Sequence, residues 1–173
     1  MTTSNKILLT IGLILGGLGV YFVVRGNRKT TAKKSGWAKI VNPSIIRKDS
    51  GGDGNFGTSR NRDTGKGTHE GVDLSVKKNQ QVYAPIDGQI VRVAIPYSND
   101  ARFSGLVLEG LGGEEIKIFY INPLKIGQYV SRGELIGTAQ SISVKYGKSV
   151  TDHIHVEYRQ DGILTDPTTL ILT

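Results

Sequence analysis

Short segments that alternate apolar and polar side chains constrain the fold of this chain more than any other feature. Six such segments are bounded by Gly, Asn, Asp or Pro: QQVYA, GQIVRVAI, LVLEGL, EIKIFYI, ELIGTA and HIHVEYR. A period of two is typical of β-strands with one buried face, and no segment shows a convincing helical period. The 23 glycines favour many turns between short strands. The sequence therefore predicts an all-β domain, in which the similar segments APIDGQI and VSRGELIG indicate a weak internal duplication.

Residues 7–24 predict a different element, because ILLTIGLILGGLGVYFVV is eighteen residues long and carries no charge. As a helix this run would extend ~27 Å, close to the hydrocarbon thickness of a bilayer. It is long for the apolar part of a signal peptide, and no small-residue cleavage site follows before Arg25. We therefore expect a polar N-terminus at 1–6, one transmembrane helix at 7–24, a basic linker at 25–35 and a globular domain at 36–173.

The net charge of +7 is distributed very unevenly along the chain. Six of the 22 basic residues and no acidic residue lie within 1–34, which leaves 16 basic and 15 acidic residues for the rest. A nearly neutral domain does not offer the basic face that phosphate binding needs, so we expect no specific nucleic-acid partner. The basic stretch lies C-terminal to the apolar run, and the positive-inside rule places the domain on the cytoplasmic side of a membrane.

All three histidines of the chain lie in two short motifs, His69 in THEGVD and the other two in DHIHVEY. The chain has no cysteine, so a transition-metal site here must use imidazole and carboxylate ligands. Catalytic zinc usually takes three protein ligands, which His69, Asp73 and one of the two C-terminal histidines can supply. On a strand, His153 and His155 project from the same face, so one can bind the metal while the other transfers protons.

Four segments resemble the lysostaphin/LytM-type zinc endopeptidases in order and content: THEGVDL, VYAPIDGQIV, GQYVSRGELIG and HIHVEYRQDGILTDPTTLI. The resemblance covers about residues 37–172 and implies an antiparallel β-sheet or β-roll built on a duplicated hybrid motif. It further implies that His69, Asp73 and His155 bind Zn²⁺ and that His153 lies beside the metal as the proton-transfer group. The implied substrates are peptide cross-links or stem peptides of bacterial peptidoglycan, cut by metal-assisted hydrolysis.

One position departs from the pattern of the active members of that family. They have a second catalytic histidine in a Tyr-x-His segment, and the corresponding stretch KIFYINPL aligns Asn122 with it. An asparagine amide can still donate a hydrogen bond to a developing oxyanion, so Asn122 is a second candidate catalytic residue. WAKI, GNFGTSR and KIFYINPLK are also similar to the leukocyte cell-derived chemotaxin branch of the family. This second resemblance implies a protein that keeps the zinc ligands, lacks the second histidine and acts by binding.

Three hypotheses follow for the function. The first is a membrane-anchored, zinc-dependent peptidoglycan endopeptidase, held in the lipid bilayer by residues 7–24 in a bacterial envelope or in the membrane of a phage particle. The second is a catalytically weak or inactive zinc domain that binds wall peptides or a protein partner. The third is a structural membrane protein in which zinc only stabilises the fold. A domain on the cytoplasmic side conflicts with cleavage of the cell wall, which lies outside the membrane. In a virus particle the conflict is removed, because assembly of the particle sets the orientation of the protein in the membrane.

Overall fold

Five of the six alternating segments each form one strand in the computed structural model, which describes residues 36–62 and 65–172. The sixth segment, EIKIFYI, is divided between two strands. The strands of the described part are β1 Lys48–Asp49, β2 Gly52–Asp53, β3 Ser59–Arg62, β4 Gly65–Thr68, β5 Val72–Ser75, β6 Gln81–Tyr83, β7 Gly88–Ala94, β8 Gly105–Gly110, β9 Glu114–Phe119, β10 Ile121–Pro123, β11 Tyr129–Val130, β12 Leu135–Ala139, β13 His153–Gln160 and β14 Ile163–Thr165. Two four-residue helices complete the set, α1 Ser143–Tyr146 and α2 Thr168–Ile171.

The main sheet has the strand order β11-β7-β8-β9-β13-β14, and β5 also pairs with β13. Every pairing in it is antiparallel. Strand β13 is the longest strand and contacts three others, with β5 along its first half and β9 along most of its length. The predicted all-β class is therefore confirmed, and β13 pairs with three strands of the main sheet, β5, β9 and β14.

The division of EIKIFYI occurs at Tyr120, whose φ of 64° lies in the left-handed region. Non-glycine residues rarely adopt this conformation, and here it turns the chain out of the main sheet. Strand β9 ends at Phe119, and β10 begins at Ile121 in a separate three-stranded sheet of order β10-β12-β6. The alternating pattern predicted one continuous strand because side-chain period alone does not register a change of sheet.

The two similar segments of the sequence pack against each other. Ala84 in the first segment donates its backbone N–H to Glu134 O and accepts a bond from the Gly133 N–H, both in the second segment. Arg132 N–H also reaches the Asp87 carboxylate. The two segments are thus joined by backbone hydrogen bonds, and their strands pair across, β6 with β12 and β7 with β11. The duplication itself stays a prediction.

The hydrophobic core lies on one face of the main sheet. Ile154, Val156 and Tyr158 of β13 face it, together with Val72 and Leu74 of β5. The intervening residues of these strands point to the other face, because successive side chains on a strand alternate. Polar side chains on β5 and β13 are thereby collected on the face opposite the core.

Within the described residues, no helix has the length and apolar character needed to cross a bilayer. The transmembrane helix predicted at 7–24 and the basic linker predicted at 25–35 lie outside the described residues. Both remain predictions from the sequence.

Gly71 allows β5 to approach β13 at the edge of the polar face. A Cβ at this position would lie 2.4 Å from the Val156 carbonyl oxygen and 2.9 Å from His155 Cε1. Backbone of the neighbouring strand cannot move away without breaking the pairing of β5 with β13. The glycine in THEGVD is therefore needed for close packing rather than for an unusual backbone angle.

We expect Gly71→Ala to lower the free energy of unfolding by roughly 2–3 kcal/mol, because the added methyl group overpacks the strand interface. Urea denaturation of the full chain measures this loss. Gly133→Ala is the matched control, since Gly133 has open space around it and a φ of 81°. That variant should lose only about 1 kcal/mol, the cost of placing an alanine at a left-handed backbone angle. A Gly71→Ala protein as stable as the wild type would contradict the close packing.

Candidate metal centre

Three side chains from two separate motifs of the chain converge on one point. His69 Nε2 lies 3.1 Å from Asp73 Oδ1 and 3.0 Å from His155 Nδ1. The third side of this triangle, from His155 Nδ1 to Asp73 Oδ1, measures 2.9 Å. The structure therefore brings together the three residues that the sequence predicts as metal ligands.

Strand register explains how two of the three meet. His155 lies directly opposite Asp73 in the antiparallel pairing of β13 with β5, which places both side chains on the same face. His69 follows β4, and its backbone is fixed by two hydrogen bonds to the preceding loop, one with Thr58 and one with Gly57. Local backbone geometry thus holds each candidate ligand in position.

The donor set fits a zinc ion. Two imidazole nitrogens and one carboxylate oxygen are ordinary ligands of catalytic zinc, which keeps its fourth position for water or substrate. Tetrahedral donors about 2.0–2.1 Å from zinc lie roughly 3.3 Å apart, close to the three separations in this structure. Among the described residues, this is the group of His and acidic side chains whose ligand atoms come close enough to hold a metal ion.

Polar partners on the far side of each histidine favour the tautomer that a metal requires. His69 Nδ1 lies 2.8 Å from the Asn55 carbonyl oxygen, so this nitrogen donates and leaves the Nε2 lone pair facing Asp73. His155 Nε2 faces Glu157 Oε1 at 3.5 Å. Glu157 is in turn bonded to Lys117 Nζ at 2.6 Å. Both rings are therefore oriented by partners outside the triangle.

The carboxylate of the triangle is strongly favoured in its ionised form. Burial alone would raise the pKa of Asp73, but without a metal ion the nitrogens of His155 and His69 that face it can carry protons, and the hydrogen bonds that they then donate outweigh the effect of burial. The pKa of Asp73 is therefore held well below its ordinary value. Burial likewise tends to lower the pKa of His155, whereas its bonds to Asp73 and Glu157 raise it overall.

His153 lies beside the triangle on the same face of β13, as its spacing from His155 predicts. Its Nδ1 lies 2.7 Å from the Thr151 carbonyl oxygen and donates to it. Its Nε2 lies 3.9 Å from Asp73 Oδ2. Burial lowers the pKa of His153, and the nearby Asp73 charge only partly opposes this effect. A buried, neutral imidazole with a free Nε2 lone pair has the character of a general base.

A cavity of about 580 Å³ opens over these residues. Its lining includes the four polar residues of the centre and an aromatic wall. The aromatic wall consists of Tyr97, Phe119, Tyr120 and Tyr146. The lining residues are Arg47, Gly51, Arg60, His69, Asp73, Pro96, Tyr97, Phe119, Tyr120, Tyr146, Val150, His153 and His155.

Three tyrosine hydroxyls form a chain along the aromatic wall. Tyr97 Oη lies 2.9 Å from Tyr120 Oη and 2.9 Å from Tyr146 Oη. Burial raises the pKa of Tyr97, and burial also raises the pKa of Tyr120 to about 12. The ring of Tyr120 meets His153 edge to face, with centroids 5.4 Å apart. The wall therefore offers neutral hydroxyl groups next to the candidate base.

Asn122, the second candidate catalytic residue, lies away from the metal centre. It lies on β10 with an exposed side chain, where its Oδ1 accepts a hydrogen bond from Gln140 Nε2 at 3.1 Å. It is not among the residues that line the cavity. The structure thus brings His153 to the metal centre and does not bring Asn122 there. The left-handed turn at Tyr120 accounts for the difference, because it directs β10 into the other sheet.

Sequence reasoning missed Arg47 and the tyrosines of the aromatic wall. Arg47 bonds Asp73 Oδ2 through Nη2 at 2.9 Å and Nε at 3.3 Å. Tyr97 and Tyr146 come from a loop and from α1, far apart in the chain. No spacing rule relates these positions. The quoted segments GNFGTSR, which follows Arg47 in the chain, and KIFYINPLK, which contains Tyr120, were the only sequence signals near them.

Comparisons with known proteins agree with the fold. Residues 67–167 match the model of peptidase family M23. Leukocyte cell-derived chemotaxin-2 of Bos taurus is 36% identical over 121 residues, which cover 69% of this chain and 74% of that protein.

Two solved structures share the fold at low sequence identity. The antimicrobial peptidase lysostaphin from Staphylococcus simulans has a TM-score of 0.59 at 21% identity, over 82% of this chain and 54% of that one. A zinc-containing peptidase from Vibrio cholerae has a TM-score of 0.57 at 20% identity, over 80% of this chain and 40% of that one. This chain therefore spans about half of the lysostaphin structure and 40% of the Vibrio cholerae structure.

Glu157→Gln should make the stability of the metal-free protein less sensitive to acid. Burial tends to raise the pKa of Glu157, but hydrogen bonds from His155 and Lys117 lower it from 4.5 to about 2. A lowered pKa stabilises the fold above the unfolded-state value, and this contribution is lost as the pH falls towards 2. The loss amounts to roughly 3 kcal/mol at most. Urea unfolding between about pH 6 and pH 3 should show a steeper decline for the wild type than for the variant. Equal declines would count against the buried ionised Glu157.

Proposed function

This chain belongs to peptidase family M23, and on that premise we propose that it is a zinc-dependent endopeptidase acting on peptide bonds of bacterial cell walls. The observation that carries the proposal is the convergence of His69, Asp73 and His155, with the neutral His153 beside them in an open cavity. A purely structural metal site would not need an open cavity or a neighbouring base. The arrangement favours hydrolysis over a site that only stabilises the fold.

His69 Nε2, Asp73 Oδ1 and His155 Nδ1 are the atoms that would hold the zinc ion. Zinc held there supplies Lewis acidity, which activates water and polarises the carbonyl of the bond to be cut. His153 accepts the proton of the attacking water at Nε2 and afterwards delivers it to the leaving amine. Its Nδ1–H stays bonded to the Thr151 carbonyl, so the ring keeps its orientation through both transfers.

The aromatic wall is the proposed binding surface for the peptide. Tyr120 and Tyr97 present neutral hydroxyl groups to the cavity, which suit the amide groups of an uncharged peptide backbone. Cell-wall peptides are the proposed substrate class because of the resemblance to lysostaphin-type peptidases. Asn122 keeps its predicted catalytic role only if its exposed side chain reaches a long substrate that extends beyond the cavity.

Cleavage of purified peptidoglycan by the full chain tests the proposal. Zinc-dependent release of new amino groups is expected. His153→Ala should lower the rate by roughly 10²–10⁴-fold with its zinc content unchanged, because it loses only the proton-transfer group. Asp73→Ala should lose both zinc and activity. Asn122→Ala separates the two predicted catalytic residues, and full activity of this variant would remove Asn122 from the mechanism.

The second candidate function is a zinc domain that binds wall peptides or a protein partner without cutting. The observation that favours it is the absence of a histidine at position 122, together with the similarity to leukocyte cell-derived chemotaxin-2. In the same assay this function gives sedimentation of the protein with peptidoglycan and no release of amino groups. Failure to retain stoichiometric zinc in metal analysis would contradict both candidates.

We further propose that residues 7–24 anchor the protein in a bilayer, either in a bacterial envelope or in the membrane of a phage particle. The uncharged run of eighteen residues supports this proposal. The full chain should float with phospholipid vesicles through a density gradient in high salt, whereas a chain lacking residues 1–34 should remain at the bottom. Equal flotation of the two would contradict the anchor.

A further inference from the structure

Arg47 is a buried cation that contacts the candidate metal ligand Asp73 directly. The residue is 4% exposed and lies N-terminal to residues 67–167, the part matched by the family model. Its Nη2 and Nε both donate to Asp73 Oδ2, at 2.9 and 3.3 Å. The backbone is fixed as well, since Arg47 N–H donates to Asp73 O and Asp73 N–H donates to Gly54 O, each at 2.8 Å. Arg47 is therefore held opposite Asp73 by main chain and side chain together.

This contact assigns different tasks to the two oxygens of Asp73. Oδ2 is bonded by the Arg47 guanidinium group and lies 3.5 Å from Arg60 Nη2, whereas Oδ1 faces the nitrogens of His69 and His155. A carboxylate can bind a metal through one oxygen or through both. With Oδ2 bound to Arg47, Asp73 is restricted to one oxygen, which preserves an open position for water or substrate.

Asp49 extends the contact towards His153. Asp49 Oδ1 accepts hydrogen bonds from Arg47 Nη1 at 2.6 Å and from Gly51 N–H at 2.8 Å, and its Oδ2 accepts one from Thr151 N–H at 2.7 Å. The carbonyl group of the same Thr151 accepts the Nδ1–H of His153 at 2.7 Å. A continuous series of hydrogen bonds thus runs from the metal ligand Asp73 through Arg47, Asp49 and Thr151 to the candidate base.

Stability alone does not account for a buried pair of this kind. Removing two charges from water costs several kcal/mol for each ion, and apolar residues of similar size often stabilise a fold as well or better. The guanidinium group, by contrast, has a rigid planar arrangement of donors that a lysine cannot reproduce. The geometry of Arg47 is suited to orienting its partners.

We propose that Arg47 and Asp49 are positioning residues, which together keep Asp73 a one-oxygen metal ligand and fix the orientation of His153 through Thr151. The proposal rests on the proposed metal centre and deepens it. It differs from the proposed function in that its consequences are visible in metal binding and in the state of His153, without any substrate.

Metal binding by the full chain tests the Arg47 half. Arg47→Lys keeps the charge and loses the planar donor arrangement, and we expect zinc affinity to fall by roughly 10–100-fold in competition with a chromogenic chelator. Cobalt(II) serves as a spectroscopic probe, because its visible absorption weakens when the coordination number rises. The Arg47→Lys protein should show weaker visible bands than the wild type. Arg159→Gln removes a cation that pairs with Glu115 on the same sheet and should change neither measurement.

The state of His153 tests the Asp49 half. In ¹⁵N-histidine spectra of the zinc-loaded full chain, the wild type should show His153 with its proton on Nδ1. Asp49→Asn is isosteric but has only one acceptor oxygen, so it cannot accept hydrogen bonds from Arg47 and from Thr151 N–H on opposite sides, and it should shift His153 towards a mixture of tautomers. Ser50→Ala is the matched control, because Ser50 makes a separate hydrogen bond to Ser149 O between the same two segments. That variant should keep the wild-type spectrum.

The outcomes separate this proposal from the proposed function. Weakened zinc binding and a changed His153 in the variants support the positioning role, even if the wild type releases no amino groups from peptidoglycan. Unchanged zinc affinity and cobalt spectrum in Arg47→Lys, or an unchanged His153 in Asp49→Asn, would overturn it, even if peptidoglycan is cleaved. Near-ultraviolet circular dichroism confirms that the conservative variants retain the fold.

Discussion

The antiparallel pairing of β13 with β5 is the constraint on which the candidate site depends. It sets His155 opposite Asp73, and the alternation of side chains adds His153 to the same face. A register shift of one residue would turn these groups towards the core and bring Val156 and Ile154 to the cavity. Because the apolar residues of both strands are fully buried, such a shift would expose them to water. The hydrophobic core therefore enforces the geometry of the polar face.

Much of the fold and part of the site could be predicted from the sequence because the signals were local. The alternation in HIHVEYR predicted both the strand and the shared face of its two histidines. The joint occurrence of THEGVD with that strand indicated a metal site, and the family resemblance implied which of the two histidines is the third ligand. By contrast, the position of Asn122 could not be predicted, since it depends on the backbone conformation of Tyr120 and on which sheet receives β10. Arg47, Tyr97 and Tyr146 join the site only through tertiary packing, which leaves no period or spacing in the sequence.

The balance between cutting and binding depends on the groups around the metal centre rather than on the ligands themselves. The centre has a candidate base in His153 and neutral hydroxyl groups in the aromatic wall. The exposed position of Asn122 leaves the stabilisation of a developing oxyanion to the tyrosine hydroxyls or to a zinc ion held by the triangle. A peptidase of reduced or redirected activity is consistent with this arrangement, and so is a protein that retains peptides without hydrolysis.

Strand β13 carries its chemistry and its packing on opposite faces. Selection on reactivity therefore acts on His153 and His155, while selection on foldability acts on their neighbours Ile154 and Val156. A lineage can alter or abandon the two histidines while the apolar residues are preserved, since the histidines do not contribute to the core. This separation allows one fold to change from degrading a polymer to recognising it, because substitutions of the reactive residues leave the fold intact.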